Sequence, residues 1–103
     1  QAYKHAFGKA KFLEFFESPA DSMSNHWLNA IILNESVANL RNDILCLLNN
    51  AGFGCRPVWH LLSDLPHFRY YPKMQLTQST SLANRIINIP SSAELLKGVP
   101  NDV

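Results

Sequence analysis

Between residues 26 and 51 the apolar positions change rhythm. His26-Trp-Leu-Asn-Ala-Ile-Ile-Leu33 is apolar on both alternating faces and rich in β-branched and aromatic residues. That pattern predicts a strand covered on both sides, at the centre of a sheet. From Val37 the spacing lengthens, and Val37, Leu40, Ile44, Leu47, Leu48 and Ala51 form one stripe at helical intervals. Ser36 is placed to cap this helix and Gly52 to close it in the left-handed conformation, with Arg41, Asn42, Asn49 and Asn50 left for solvent.

The flanking segments predict shorter elements. Tyr3 and Phe7, four apart among Ala, Lys and His, read as the end of a helix that Gly8 stops. Lys11-Phe-Leu-Glu-Phe-Phe-Glu17 reads as an edge strand broken by Ser18-Pro19, and Phe53 to Trp59 as a strand that leaves the sheet near Pro57. Residues 61–73 mix aromatics with Pro66 and Pro72 and are expected to be irregular. A Gln/Thr/Ser stretch over 75–81 then leads to a short helix at 82–85. Ile86-Ile-Asn-Ile-Pro-Ser-Ser92 predicts a last strand stopped by Pro90, and 97–103 has the composition of a loose tail.

A chain of 103 residues with 47% hydrophobic content is one ordinary domain with a modest core. At that size the loss of a packing neighbour matters, because only about 60 to 70% of the unfolded surface is buried. Nine Lys and Arg against eight Asp and Glu, without a basic cluster, give no footprint for nucleic acid. The longest apolar runs fall far short of the roughly 20 residues of a membrane span. The start Gln-Ala-Tyr-Lys-His lacks the regions of a signal peptide and fits a piece of a longer cytoplasmic protein. Cys46 and Cys55 lack CxxC spacing and read as buried free thiols.

Little of this carries chemistry by itself. His5, His26, His60 and His67 form no pair at ligand spacing on one helix, so no metal site is expected. There is no GxSxG turn, and Gly8, Gly52, Gly54 and Gly98 are too dispersed to cradle a phosphate. The segment with concentrated potential is Arg56-Pro-Val-Trp-His-Leu-Leu-Ser-Asp-Leu-Pro66, at a strand-to-loop exit. Arg56 can grip a phosphate or carboxylate, Trp59 can stack on a sugar or base, and His60 can bond a hydroxyl or phosphate. The same three residues serve equally as an acid's partner, a half-buried packing residue and a surface histidine, so composition alone leaves their role open.

Five segments in this order carry a resemblance: Ser24-Asn-His-Trp-Leu-Asn29, Arg41-Asn-Asp-Ile-Leu45, Arg56-Pro-Val-Trp59, Leu65-Pro66 and Asn84-Arg-Ile-Ile-Asn-Ile-Pro-Ser-Ser92. Together they resemble the DegT/DnrJ/StrS-type sugar aminotransferases, nearest to the legionaminic-acid type that acts on a 4-keto-6-deoxy nucleotide-sugar. The resemblance spans residues 3–92 and corresponds to the C-terminal part of such enzymes. It implies an α/β (α+β) fold, the small C-terminal domain of a fold type I aminotransferase, with a small mixed or antiparallel sheet packed with helices. Residues 1–10 would be the end of a linker helix, 11–93 the small domain and 94–103 a tail. Pyridoxal phosphate would be bound by the N-terminal large domain, because no segment here matches the family's cofactor-lysine motif around Lys4, Lys9, Lys11, Lys73 or Lys97. The partners implied are that large domain, the nucleotide-sugar and glutamate, and the piece alone would be inactive; the surface that meets the large domain, exposed without it, would favour self-association as a homodimer or concentration-dependent oligomer. Arg56 and Trp59, with His60 beside them, match the loop that approaches the nucleotide-sugar. Ser63 stands where relatives often carry a histidine, and Gly98 and Pro100 follow Glu94-Leu-Leu-Lys97 where relatives usually continue into a helix, so the closing helix is expected to be short or absent. The alternative from another class is a free-standing α/β interaction or ligand-binding module without catalysis.

Overall fold

Ile31 and Ile87 lie side by side on adjacent central strands of a four-stranded antiparallel sheet. The computed structural model describes residues 2–92. Its elements run α1 (Ala2–Phe7), β1 (Leu13–Phe15), β2 (Asn29–Leu33), a 3-10 turn (Glu35–Leu40), α2 (Arg41–Asn50), β3 (Arg56–Pro57), a 3-10 turn (Leu62–Asp64), α3 (Thr77–Ala83) and β4 (Ile86–Ile89). The strand order is β1-β2-β4-β3, antiparallel at each pairing, as expected for a small aminotransferase domain.

The alternation of a strand decides which residues form the core. Ile31 and Leu33 of β2 share a face with Ile87 and Ile89 of β4 and with Cys55, and there Leu33 and Ile87 are 1% and 0% exposed. Val37, Ile44, Leu45 and Leu48 cover this face from the α2 side, and Tyr3 and Phe7 of α1 cover it from the other end. Fully burying one such aliphatic side chain is worth about 1.5 to 3 kcal/mol, so these few residues carry much of the stability. Ile32, on the opposite face, is also buried, as the doubly covered pattern predicts.

The end of α2 follows the sequence closely. Gly52 takes φ 90, its N–H donates to the Asn49 carbonyl at 3.0 Å, and Phe53 N–H reaches back to the Leu48 carbonyl at 2.9 Å. That bond pair is a Schellman closure, which needs the left-handed residue that glycine supplies. Gly8 sits just past α1, where a Cβ would meet the Lys4 carbonyl oxygen at 3.0 Å.

Several expectations are corrected. β2 begins at Asn29, not His26. Ser24 Oγ accepts the His26 N–H at 2.9 Å and Asn25 Oδ1 accepts the Trp27 N–H at 3.0 Å, folding this stretch into turns with His26 at φ 54. Ser36 does not cap a helix. The chain enters a 3-10 turn behind Asn34, whose side chain makes no capping bond, and α2 starts only at Arg41. Six residues of three-per-turn winding advance the helical phase by about a third of a turn relative to an α-helix. The buried face is thus rotated: Leu45 packs on the core, while Leu47 of the expected stripe is 69% exposed.

Arg41, expected in solvent, donates from Nη1 to the Ala83 carbonyl at 2.6 Å and so ties α2 to the end of α3. The expected helix at 82–85 is instead Thr77–Ala83, made from the polar stretch read as a connector, with Leu76, Ser79 and Leu82 turned partly inward. The expected strand over 53–59 shortens to Arg56–Pro57, because Phe53 and Gly54 still belong to the helix exit and Pro57 has no N–H to extend the ladder. Cys55 is buried, but Cys46 lies exposed on α2. The tail at 94–103 lies outside the described residues.

Candidate functional site

The Arg56 segment emerges from the sheet edge as the sequence predicts. Arg56 pairs with Asn88 of β4, and Asn88 Nδ2 donates to the Pro57 carbonyl at 3.4 Å, where the chain turns out of the sheet. The Arg56 guanidinium folds back over the end of α2, its Nη1 donating to the Cys55 carbonyl at 2.9 Å and to Asn49 Oδ1 at 3.3 Å. Asn49 also donates from Nδ2 to the Leu45 and Cys55 carbonyls at 2.8 and 3.0 Å, so one amide joins helix, strand and arginine. Nε and Nη2 of Arg56 find no partner among the described residues and keep a donor edge free for a carboxylate or phosphate.

Trp59 and His60 follow on the exposed loop. Trp59 is 82% exposed, and no described residue hydrogen-bonds its indole or the His60 ring. Half-buried packing therefore does not account for Trp59. The structure places all three residues on one stretch of surface, outside the two clefts described next.

Two clefts of about 400 Å³ lie elsewhere. One is apolar, between Leu61, Leu62, Phe68, Tyr71 and Leu76, with Lys73 at its wall. The 3-10 turn at 62–64 and the turns through 71 fold this segment against α3, and its aromatic and proline content is the only signal the sequence offers for it. The other lies between α1, the end of β1 and the turns before β2, and includes Lys4, Phe16, Glu17, Ser24, His26 and Leu28. Lys4 Nζ and Glu17 Oε2 make an ion pair of 2.9 Å in it. The Ser24-Asn25 pair ahead of His26 is the sequence signal for the turns that shape this wall, because short polar side chains catch N–H groups two residues on.

A buried thiol and a half-buried phenol border the core. Burial pushes the Cys55 thiol up, with the Arg56 guanidinium pulling the other way, so Cys55 stays a neutral thiol and not a nucleophile. Burial, with a smaller contribution from Cys55, also raises the Tyr3 phenol, whose O–H donates to the Pro90 carbonyl at 2.9 Å.

A pyridoxal phosphate site requires a lysine at the carbonyl carbon, an acid at the ring nitrogen and donors for the phosphate. Among the described residues no charged or polar side chain is buried. Lys4 is paired with Glu17 on the surface, Lys9 and Lys11 are exposed before β1, and Lys73 faces an apolar cleft. The described residues do not fit that cofactor. They also bring together no group of three or more His, Cys, Asp or Glu able to hold a metal, and form no helix long and apolar enough to cross a membrane.

No curated protein matches the chain. The sequence model of the DegT/DnrJ/EryC1/StrS aminotransferase family matches residues 1–103. With that match over its whole length and an antiparallel sheet packed by helices, the chain belongs to the DegT/DnrJ/EryC1/StrS aminotransferase family.

Proposed function

We propose that the chain is the C-terminal small domain of a pyridoxal-phosphate-dependent aminotransferase of the legionaminic-acid type. The whole enzyme transfers an amino group from glutamate to the keto carbon of a 4-keto-6-deoxy nucleotide-sugar, and the bound cofactor supplies the electron sink. One contrast carries the reading: the chain belongs to an aminotransferase family, yet its described residues bury no charged or polar side chain with which to hold the cofactor. The cofactor site then belongs to a large domain ahead of this one, and the present chain forms part of the wall around it.

In this reading residues 1–10 end the linker helix, 11–93 form the small domain and 94–103 its tail. The Tyr3 bond to the Pro90 carbonyl supports the first assignment, because it fixes the incoming helix to the outgoing end of β4. Arg56 offers Nε and Nη2 to a carboxylate or phosphate of the substrate. Trp59 offers an open ring face for stacking, and His60 a hydrogen bond to a hydroxyl or phosphate.

The test is cofactor uptake. This chain, and the same chain extended upstream by its large domain, are dialysed against pyridoxal phosphate, and bound cofactor is read by absorbance. Stoichiometric uptake and glutamate-dependent amination by the extended chain alone is the expected result. Stoichiometric uptake by the chain of 103 residues would overturn the reading.

A further inference from the structure

The aromatic segment after β3 folds against α3 and leaves between them the apolar cleft of about 400 Å³, a volume within the range of small-ligand sites. Leu76 and Ser79 of its lining are half-buried, whereas Leu62, Phe68 and Tyr71 stay exposed. The Phe68 and Tyr71 rings meet at 6.1 Å between centroids and 54° between planes, a tilted pair that fixes the aromatic side of the cleft.

Polar groups are few here. Lys73 is the one charged residue lining the cleft among the described residues. Its ammonium group has no ion pair or hydrogen bond with a described residue, nor has the hydroxyl of Tyr71 or of Ser79. The Ser63 hydroxyl is engaged outward, donating to Asp64 Oδ1 at 3.4 Å.

This lining selects its occupant by what it can satisfy. A polar group set against apolar walls costs free energy unless it finds a hydrogen-bond partner. A nucleotide-sugar brings phosphates, several hydroxyls and a polar base edge, and a peptide brings an N–H and a C=O with each residue. One ammonium and two open hydroxyls cannot serve either. A hydrocarbon chain that ends in a single negative charge needs only apolar walls and one cation with a hydroxyl beside it, and both are present.

We propose that this cleft binds a medium-chain carboxylate, its hydrocarbon against Leu62, Phe68 and Leu76 and its carboxylate held by Lys73 and Tyr71. The inference rests on the chemistry of the lining and does not depend on the aminotransferase assignment. The site is separate from the surface that carries Arg56, Trp59 and His60.

Calorimetric titration with decanoate tests this, on the chain of 103 residues and on the chain extended upstream. Saturable binding of one decanoate per chain is expected in both. Octanoate, two methylenes shorter, binds about fivefold to tenfold more weakly, because each buried methylene contributes. Lys73→Gln weakens decanoate about tenfold and leaves decanol unchanged. Leu62→Ser, at a position 69% exposed, weakens both about threefold, and Lys11→Gln, outside the cleft, alters neither. Circular dichroism checks that each variant keeps its fold. Absence of saturable binding in either chain would overturn the proposal. So would decanoate affinity that Lys73→Gln leaves unchanged, or that Lys11→Gln lowers equally. An acetyl-Leu-Glu peptide that binds more tightly than decanoate would assign the cleft to a protein segment and overturn it as well. None of these outcomes bears on cofactor uptake, so the two readings fail separately.

Discussion

The sheet and the segment from Val58 to Leu76 are opposite in construction. In the sheet, Ile31, Leu33, Ile87 and Ile89 disappear into a single face that α2 covers. In the segment, Trp59, Leu62, Phe68, Tyr70, Tyr71 and Met74 are all exposed, and only short turns order the backbone. Apolar content is thus no guide to burial here. What separates the two regions is periodicity: the sheet residues recur at intervals that one face can collect, whereas the prolines at 57, 66 and 72 keep the segment from settling into either period. Clustered exposed apolar side chains are a feature that interaction surfaces share.

That contrast breaks most sharply at the core. Leu33→Ala removes a side chain that is 1% exposed and should cost about 3 kcal/mol in urea unfolding. A loss under about 1 kcal/mol would mean that the sheet face is looser than its burial implies. Gly52→Ala comes next, at about 1 to 2 kcal/mol. Nothing lies within 4 Å of the added Cβ, so the loss reports the left-handed backbone alone.

A smaller effect is expected with alkali. Cys55 and Tyr3 both titrate above their ordinary values of 9.0 and 10.0, so the unfolded chain gives up these protons first. Their contribution is complete below about pH 9 and is lost as the pH rises through the folded values. Thermal melts should therefore fall above pH 9, and a Cys55→Ala, Tyr3→Phe double variant should fall less. Smallest of all is Trp59→Ala, which should change stability by no more than about 0.5 kcal/mol. On the proposed reading, the same change in the enzyme with its large domain raises KM for the nucleotide-sugar, which steady-state kinetics would reveal. A large loss of stability there would erase the contrast between the two regions.

How far the fold could be read from the chain follows from the same physics. The run from Ala30 to Leu33 and the glycine at 52 are strong signals because each has one structural use, and both led to the right element. Ser36 misled because a cap depends on where the chain arrives from. Here the Arg85 guanidinium holds the Leu33 carbonyl at 2.9 Å and the corner tightens into a 3-10 turn before any α-helix begins. Thr77–Ala83 was hidden because Thr and Ser favour helices weakly by themselves, and packing of Leu82 and the Arg41 bond to Ala83 decide the matter. At the candidate site, the exposure of Trp59 and His60 was legible as a loop. The fold of Arg56 onto Asn49 was not, since that contact depends on how the end of α2 meets β3.

The order β1-β2-β4-β3 also has a kinetic side. Ile31 waits for Ile87, a partner separated from it by more than half of the chain. Closing so long a loop must precede any gain from the central pairing, which makes nucleation slow for a domain of this size. During synthesis the sheet cannot close until β4 has left the ribosome, so the β4 side of β2 spends that interval unpaired. A nascent chain stalled before Ile86 should accordingly be far more sensitive to protease than one stalled well beyond Ile89.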